Sequence, residues 1–232
     1  MKRWIMLGFM FFVLVLMVAK APNVSAATDY CLKLDPSTEV QHSYNLPIGA
    51  SGFYVQWDST MNQSPGQDVT LMKVAYTDSQ GYTPSFTWSA AGHALYACFG
   101  GTCHDVTDYA GGITLGTWHT LKIEISETQE ELHSYTITVN WYIDGTNVYG
   151  QTYSTTQPPT VDYTSASTKS DGYLFIDNVQ DSQGNTDDCG DNYFTVTQGS
   201  ATCVSKDSVP FFSSVAVGLL VVLGMLLLFR RR

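Results

Sequence analysis

The stretch Thr117–Tyr149, TWHTLKIEISETQEELHSYTITVNWYIDGTNVY, decides the fold. Its first half sets Leu121, Ile123 and Ile125 on one face and Lys122, Glu124 and Ser126 on the other. Its second half sets Tyr135, Ile137, Val139, Trp141 and Ile143 against Thr136, Thr138, Asn140 and Tyr142. Alternation of this length, rich in β-branched and aromatic residues, predicts two half-buried strands. Asp144-Gly145 suits the paired positive-φ positions of a type I′ turn, so a third strand returns through Tyr149. Between the first two strands, Glu127–His133 reads as a charged loop.

Working outward, short apolar or alternating runs recur at 31–34, 39–42, 53–57, 69–76, 85–88, 94–99, 113–115, 173–179 and 193–197. Gly-, Pro-, Asn- and Asp-rich turns separate them. Pro158–Thr168 is the most linker-like part of this region. Ten or more antiparallel strands in one domain must bury two apolar faces, which predicts an all-β sandwich over residues 27–205.

The ends of the chain read as address labels. Residues 1–26 have a basic start (Lys2, Arg3), an apolar run and the exit Val24-Ser25-Ala26, the anatomy of a secretory signal peptide. Residues 206–210 form a short polar stem. Phe211–Phe229 follows without a charge, roughly 28 Å long as a helix and enough to cross a bilayer core. Arg230, Arg231 and Arg232 then end the chain, and positive residues stay on the cytoplasmic side, so the domain faces outward. The expected location is the cell surface, with the membrane as partner through the C-terminal helix.

Residues 27–209 hold five lysines, no arginine and all 21 acidic residues, a formal net charge of −16. Such a surface repels nucleic acid and anionic lipid. All five cysteines lie in this outward segment, where disulfides persist. Cys98 and Cys103 flank a short turn with two glycines and are expected to pair. Cys189 and Cys203 are a second candidate pair that leaves Cys31 over. If the first and last strands are neighbours, Cys31 can pair with Cys189 or Cys203 instead.

Three segments together resemble the concanavalin A-like jelly roll, including its laminin-G-like members. They are Trp118-His119-Thr120-Leu121, Val139-Asn140-Trp141-Tyr142-Ile143-Asp144-Gly145 and Tyr173-Leu174-Phe175-Ile176-Asp177-Asn178-Val179. The resemblance implies an antiparallel two-sheet jelly-roll sandwich and a lectin-like or glycan-cleaving role. Val209-Pro210-Phe211-Phe212, the apolar run and the three arginines resemble the C-terminal sorting signals of prokaryotic surface proteins, handled by exosortases or archaeosortases. That implies a processing protease as a further partner, with the tail either cleaved or kept as an anchor.

Retaining glycosidases of this fold use paired carboxylates about 5 Å apart. Here the nearest string, Glu124-Ile125-Ser126-Glu127, puts its two glutamates on opposite strand faces, so no catalytic residue is assigned. The domain also lacks the arginine expected of a polysaccharide lyase of this kind. His93, Cys98, Cys103 and His104 have the makings of a zinc site, but export favours the disulfide.

Aromatic faces on which a pyranose can stack are expected at Tyr82, Trp88, Tyr109, Tyr142 and Tyr149, which fall in loops or on the polar face by alternation. Calcium is the one cofactor considered. Asp181, Gln183, Asn185 and Asp187 carry oxygen at alternate positions of a loop, although the EF-hand glycine and glutamate are missing. Asp58, Asp105, Asp108, Asp177 and Asn178 are further oxygen donors. The reading is an exported, tethered surface protein that binds glycan or another surface ligand in adhesion or envelope organisation. The alternatives are an extracellular glycoside hydrolase with an atypical site and a purely structural envelope protein.

Overall fold

The long meander is present, and it forms one edge of a sandwich. The computed structural model describes residues 29–49, 51–61, 66–77, 81–109, 116–206 and 209. The signal segment (1–26), the apolar segment (211–229), the basic end, all but Val209 of the sorting motif and the run 113–115 lie outside the described residues. Among the described residues no helix is long and apolar enough to cross a membrane.

The described strands are, in chain order, β1 (Tyr30–Leu34), β2 (Glu39–Pro47), β3 (Phe53–Met61), β4 (Val69–Thr77), β5 (Ser85–Ser89), β6 (Ala94–Phe99), β7 (Thr102–Asp105) and β8 (His119–Glu131). They continue with β9 (Ser134–Ile143), β10 (Thr146–Thr155), β11 (Thr160–Ser167), β12 (Leu174–Asp181), β13 (Thr186–Asp187), β14 (Thr195–Gln198) and β15 (Ala201–Ser205). Sheet A runs β10-β9-β8-β3-β12-β1-β15, with β13 beside β12. Sheet B runs β14-β2-β11-β4-β5-β6-β7. All pairs are antiparallel. The wrapping is nested: β1 pairs with β12 in one sheet and β2 with β11 in the other, as when a long hairpin is rolled around a core.

The alternation explains the layers. Leu121, Ile123, Ile125, Ile137, Val139, Trp141 and Ile143 are buried on the inner face of sheet A. Val40, Met72, Val74, Phe86, Trp88, Leu95 and Ala97 meet them from sheet B. Two indoles fasten the layers, because a buried N–H needs an acceptor. Trp57 Nε1 donates to the Leu71 carbonyl at 3.2 Å and Trp141 Nε1 to the Ser85 carbonyl at 3.1 Å. Asp144 and Gly145 hold φ of 49° and 77°, the left-handed pair that a type I′ turn needs.

Two expectations are corrected. Glu127–His133 is not a loop: β8 continues through Glu131 and only Leu132 and His133 turn, with His133 at φ 63°. The polar residues stay extended because β9 supplies their ladder partners. The linker-like Pro158–Thr168 is largely β11, a central strand between β2 and β4. Thr164, Ser165 and Ala166 are buried there, and small side chains suit a strand enclosed on both sides.

The structure joins Cys98 to Cys103 and Cys189 to Cys203. β1 and β15 are indeed neighbours, but Cys203 sits opposite Leu32 and so shares its inward face. Cys31 points to the other face of sheet A and stays a buried free thiol. Burial, reinforced by Asp177, pushes that thiol up to about 12.

Candidate functional site

β10 is the outer strand of sheet A, and the β6–β7 hairpin is the outer edge of sheet B. Where these edges meet, Tyr82, Phe99, Gly100, Thr102, Tyr149, Gln151 and Tyr153 line an open cleft of about 200 Å³. Period two in β10 places Gln151 and Tyr153 on one face. Tyr149 lies two residues earlier on the same face, just past a bulge between Asn147 and Tyr149. Tyr82 arrives from the segment before β5, and its ring lies against the backbone of Gly100, φ +55°. A Cβ there would sit 2.8 Å from the ring. The Cys98–Cys103 disulfide closes the hairpin that carries Gly100 and Thr102.

The rings form a continuous aromatic wall. Tyr82 packs on Phe99 and Tyr153, with centroids 4.6 and 5.1 Å apart. Tyr149 leans on the buried Trp141 at 5.2 Å, and His104 stacks on it at 4.9 Å with planes 12° apart. The polar tips are held as well. Tyr149 donates its hydroxyl to Gln151 Oε1 at 3.2 Å, and Tyr153 donates to the Tyr76 hydroxyl at 2.8 Å. The cleft thus offers ring faces together with an amide and a hydroxyl, the donor set suited to a polyol.

Of the five aromatic candidates, the structure brings Tyr82 and Tyr149 together. Tyr109 stands at the rim, exposed, with its ring 6.4 Å from His104. Tyr142 lies elsewhere, on the outer face of sheet A, where the Lys122 ammonium sits between it and Tyr54 at 5.1 and 4.8 Å. Trp88 is a correction: it is 3% exposed and belongs to the core, because β5 turns Phe86 and Trp88 inward and Ser85, Thr87 and Ser89 outward. Phe99, Thr102, His104, Gln151 and Tyr153 escaped the sequence reading. The Tyr149-Gln151-Tyr153 period was visible there, but nothing in it says which hairpin faces it.

The loop proposed for calcium is built for another purpose. Asp181 is 1% exposed, and its Oδ1 accepts the backbone N–H groups of Gln183 and Asn185 at 2.8 and 3.1 Å. Its Oδ2 accepts the Asn185 amide at 2.9 Å and the hydroxyls of Tyr44 and Tyr193 at 2.8 and 3.2 Å. Asp187 accepts the N–H groups of Cys189, Asn192 and Tyr193. Hydrogen donors aimed at both carboxylates are the wrong partners for a cation cage, so these residues do not fit calcium. Gln183 enters through its backbone alone. Among the described residues, metal-ligating atoms gather in threes at Cys189, Asp191 and Cys203, where both sulfurs are in a disulfide.

Burial pushes the Tyr44 and Tyr193 hydroxyls far up, so both stay neutral donors. Asp181→Ala strands those donors and is expected to cost about 3 kcal/mol or more of stability. Adding calcium to the parent protein is expected to leave its melting temperature unchanged, and thermal melts with and without calcium and chelator check both. Glu124 pairs with Lys122 on the outer face of sheet A, while Glu127 continues the inner row, so the two carboxyls lie on opposite faces.

No family model and no curated protein matches the chain. Among solved structures, the mouse laminin alpha1 chain, domains LG4-5, is similar with a TM-score of 0.48 at 14% identity, over 78% of this chain and 48% of that one. A native heptameric SAP-like pentraxin from Limulus polyphemus gives 0.46 at 11% identity, over 79% and 98%. The alginate lyase Aly36B gives 0.42 at 13% identity, over 65% and 78%. At these scores the likeness carries no argument, and the two-sheet architecture rests on the strand pairing itself.

Proposed function

We propose that this domain is a glycan-binding module of the concanavalin A-like kind, exported and held at a cell surface through its C-terminal segment. The observation that carries this reading is the cleft in which Tyr82, Tyr149 and Tyr153 stand beside Gln151 and Thr102. A pyranose ring has an apolar C–H face and an equatorial belt of hydroxyls. The first stacks on tyrosine faces, and the second exchanges hydrogen bonds with an amide and a hydroxyl. The rings are already packed on Phe99 and Trp141, so binding orders little that is not ordered beforehand. Among the described residues that line the cleft none is a carboxylate, which supports binding over cleavage. The signal-like start supports export. The apolar run and basic end support attachment, with a sorting protease acting on the tail.

Binding to a glycan array, repeated with calcium and with chelator, tests the reading. Tyr149→Ala is expected to weaken binding at least tenfold, about the loss of one aromatic anchor. Tyr142→Ala, on the far face, leaves it unchanged. A protein that binds no glycan, or whose binding survives Tyr149→Ala and Tyr82→Ala, has another role.

A further inference from the structure

The chain does not leave the domain at the end of β15. Lys206 N–H donates to the Asp29 carbonyl at 2.8 Å, and Val209 N–H to the Lys206 carbonyl at 3.1 Å. Lys206 and Val209 thereby lie over the outer face of sheet A. Val209, 5% exposed, packs there on Cys31 and Phe175, with Trp118, Tyr173 and Val204 around them. Inside this apolar patch β12 directs Asp177 outward, fully buried. Among the described residues no hydroxyl or side-chain amide reaches either of its carboxyl oxygens. The Lys206 ammonium is set against Asp177 Oδ2 and lies 2.8 Å from Asp29 Oδ2. The Trp118 ring centroid is 5.3 Å from the same nitrogen.

We propose that Lys206 Nζ and Asp177 Cγ condense into an intramolecular amide that ties the stem covalently to β12. The ammonium first passes a proton to the Asp177 carboxylate, a transfer that burial of the carboxylate makes less costly than it would be in water. The free amine attacks Cγ and the N–C bond forms. The Asp29 carboxylate, in contact with the same nitrogen, takes its surplus proton and returns it to the departing hydroxyl. The C–O bond breaks and one water leaves, with no change of oxidation state.

Three features favour the reaction. Held contact replaces a bimolecular encounter, which is worth effective concentrations of roughly 10⁵–10⁸ M in well-oriented cases. Burial of Asp177 keeps out the water that would reverse the step. Burial also pushes the Asp177 carboxyl up towards its neutral form, against the pull of Lys206. The opposing factor is the ammonium. Burial lowers it, but the combined pull of Asp177 and Asp29 outweighs that and sets it above the ordinary lysine value. The reaction therefore runs through the small neutral fraction, as a slow step completed after folding.

Peptide mapping of the purified full chain tests this, after reduction and alkylation, with chymotrypsin cutting at Tyr193 and Phe194 between the two residues. The expected product joins the peptides holding Asp177 and Lys206 and is lighter than their sum by one water. Separate linear peptides overturn the proposal. Lys206→Arg keeps the charge opposite Asp177 and must give linear peptides only. Asp29→Ala keeps the pair and is expected to leave most of the chain unjoined; complete joining in that variant overturns the relay assigned to Asp29. Should a variant fail to fold, the map of the parent protein decides by itself.

Discussion

Lys206→Met is expected to lower the unfolding free energy of the domain by about 3–5 kcal/mol, the usual penalty for stranding one member of a buried pair. Asp177 is fully buried and has no other side-chain donor among the described residues, so the variant must leave a charge in an apolar patch or carry a protonated acid there. The Val209 contact above Cys31 and Phe175 loosens with it. Replacing both partners, Lys206→Met with Asp177→Leu, is expected to recover the part of the loss that comes from the stranded acid, since an apolar pair of similar volume suits the site, and not the part that comes from the covalent tie. Urea unfolding of the parent, single and double variants measures this, and a single-variant loss below about 1 kcal/mol would contradict the burial of Asp177.

Alkaline pH adds an independent reading of the same pair. A free Lys206 ammonium, raised above the ordinary value of 10.5, gives stability that is complete below that value and fades as pH rises through its folded value. An amide does not titrate. The stability of the joined protein is therefore expected to show no such alkaline loss from this residue.

The second large effect is expected at Trp141. Its side chain is fully buried in β9, fastens sheet A to the Ser85 carbonyl of sheet B, and supports both Phe99 and Tyr149. Trp141→Ala opens a cavity and strands a carbonyl, at a cost of about 3–5 kcal/mol. Because the same ring backs the aromatic wall of the cleft, glycan affinity should fall in the fraction that remains folded. Trp141→Phe keeps most of the volume and is expected to lose less than half as much. Chemical denaturation and binding measured on the same preparations would separate the two effects.

How legible these features were depends on how local their causes are. The β8–β9–β10 meander could be read because alternation, β-branching and Asp144-Gly145 act between chain neighbours. β11 was misread because its burial comes from β2 and β4, while its own residues, Thr160–Ser167, are mostly small hydroxyls that also suit a linker. Trp88 was misplaced because loop and core look alike in a five-residue strand. In the cleft, Tyr82, the Phe99–Thr102 turn and Tyr149–Tyr153 are distant in sequence. Only the order of strands in two sheets makes them neighbours, and no local pattern encodes that order. The Asp181 loop shows the reverse case: alternating oxygens were visible, but whether they face cations or N–H groups depends on how the turn closes.

The order of strands in sheet A has a mechanical consequence. β10, with Tyr149 and Tyr153, is one edge, and β15, which leads into the stem, is the other. Six interstrand steps of about 4.8 Å put them roughly 29 Å apart. In a domain tethered through its stem, a bound ligand is held at the far side, and any tug on it crosses the ladders of sheet A in series. Such a series yields at its thinnest rung. β1 and β12 share only the pairs Leu32–Ile176, Lys33–Phe175 and Leu34–Leu174. The Lys206–Asp177 link runs from beyond β15 directly to β12, so it carries load around that short ladder, and a tethered domain would resist detachment best where its own hydrogen bonding is thinnest.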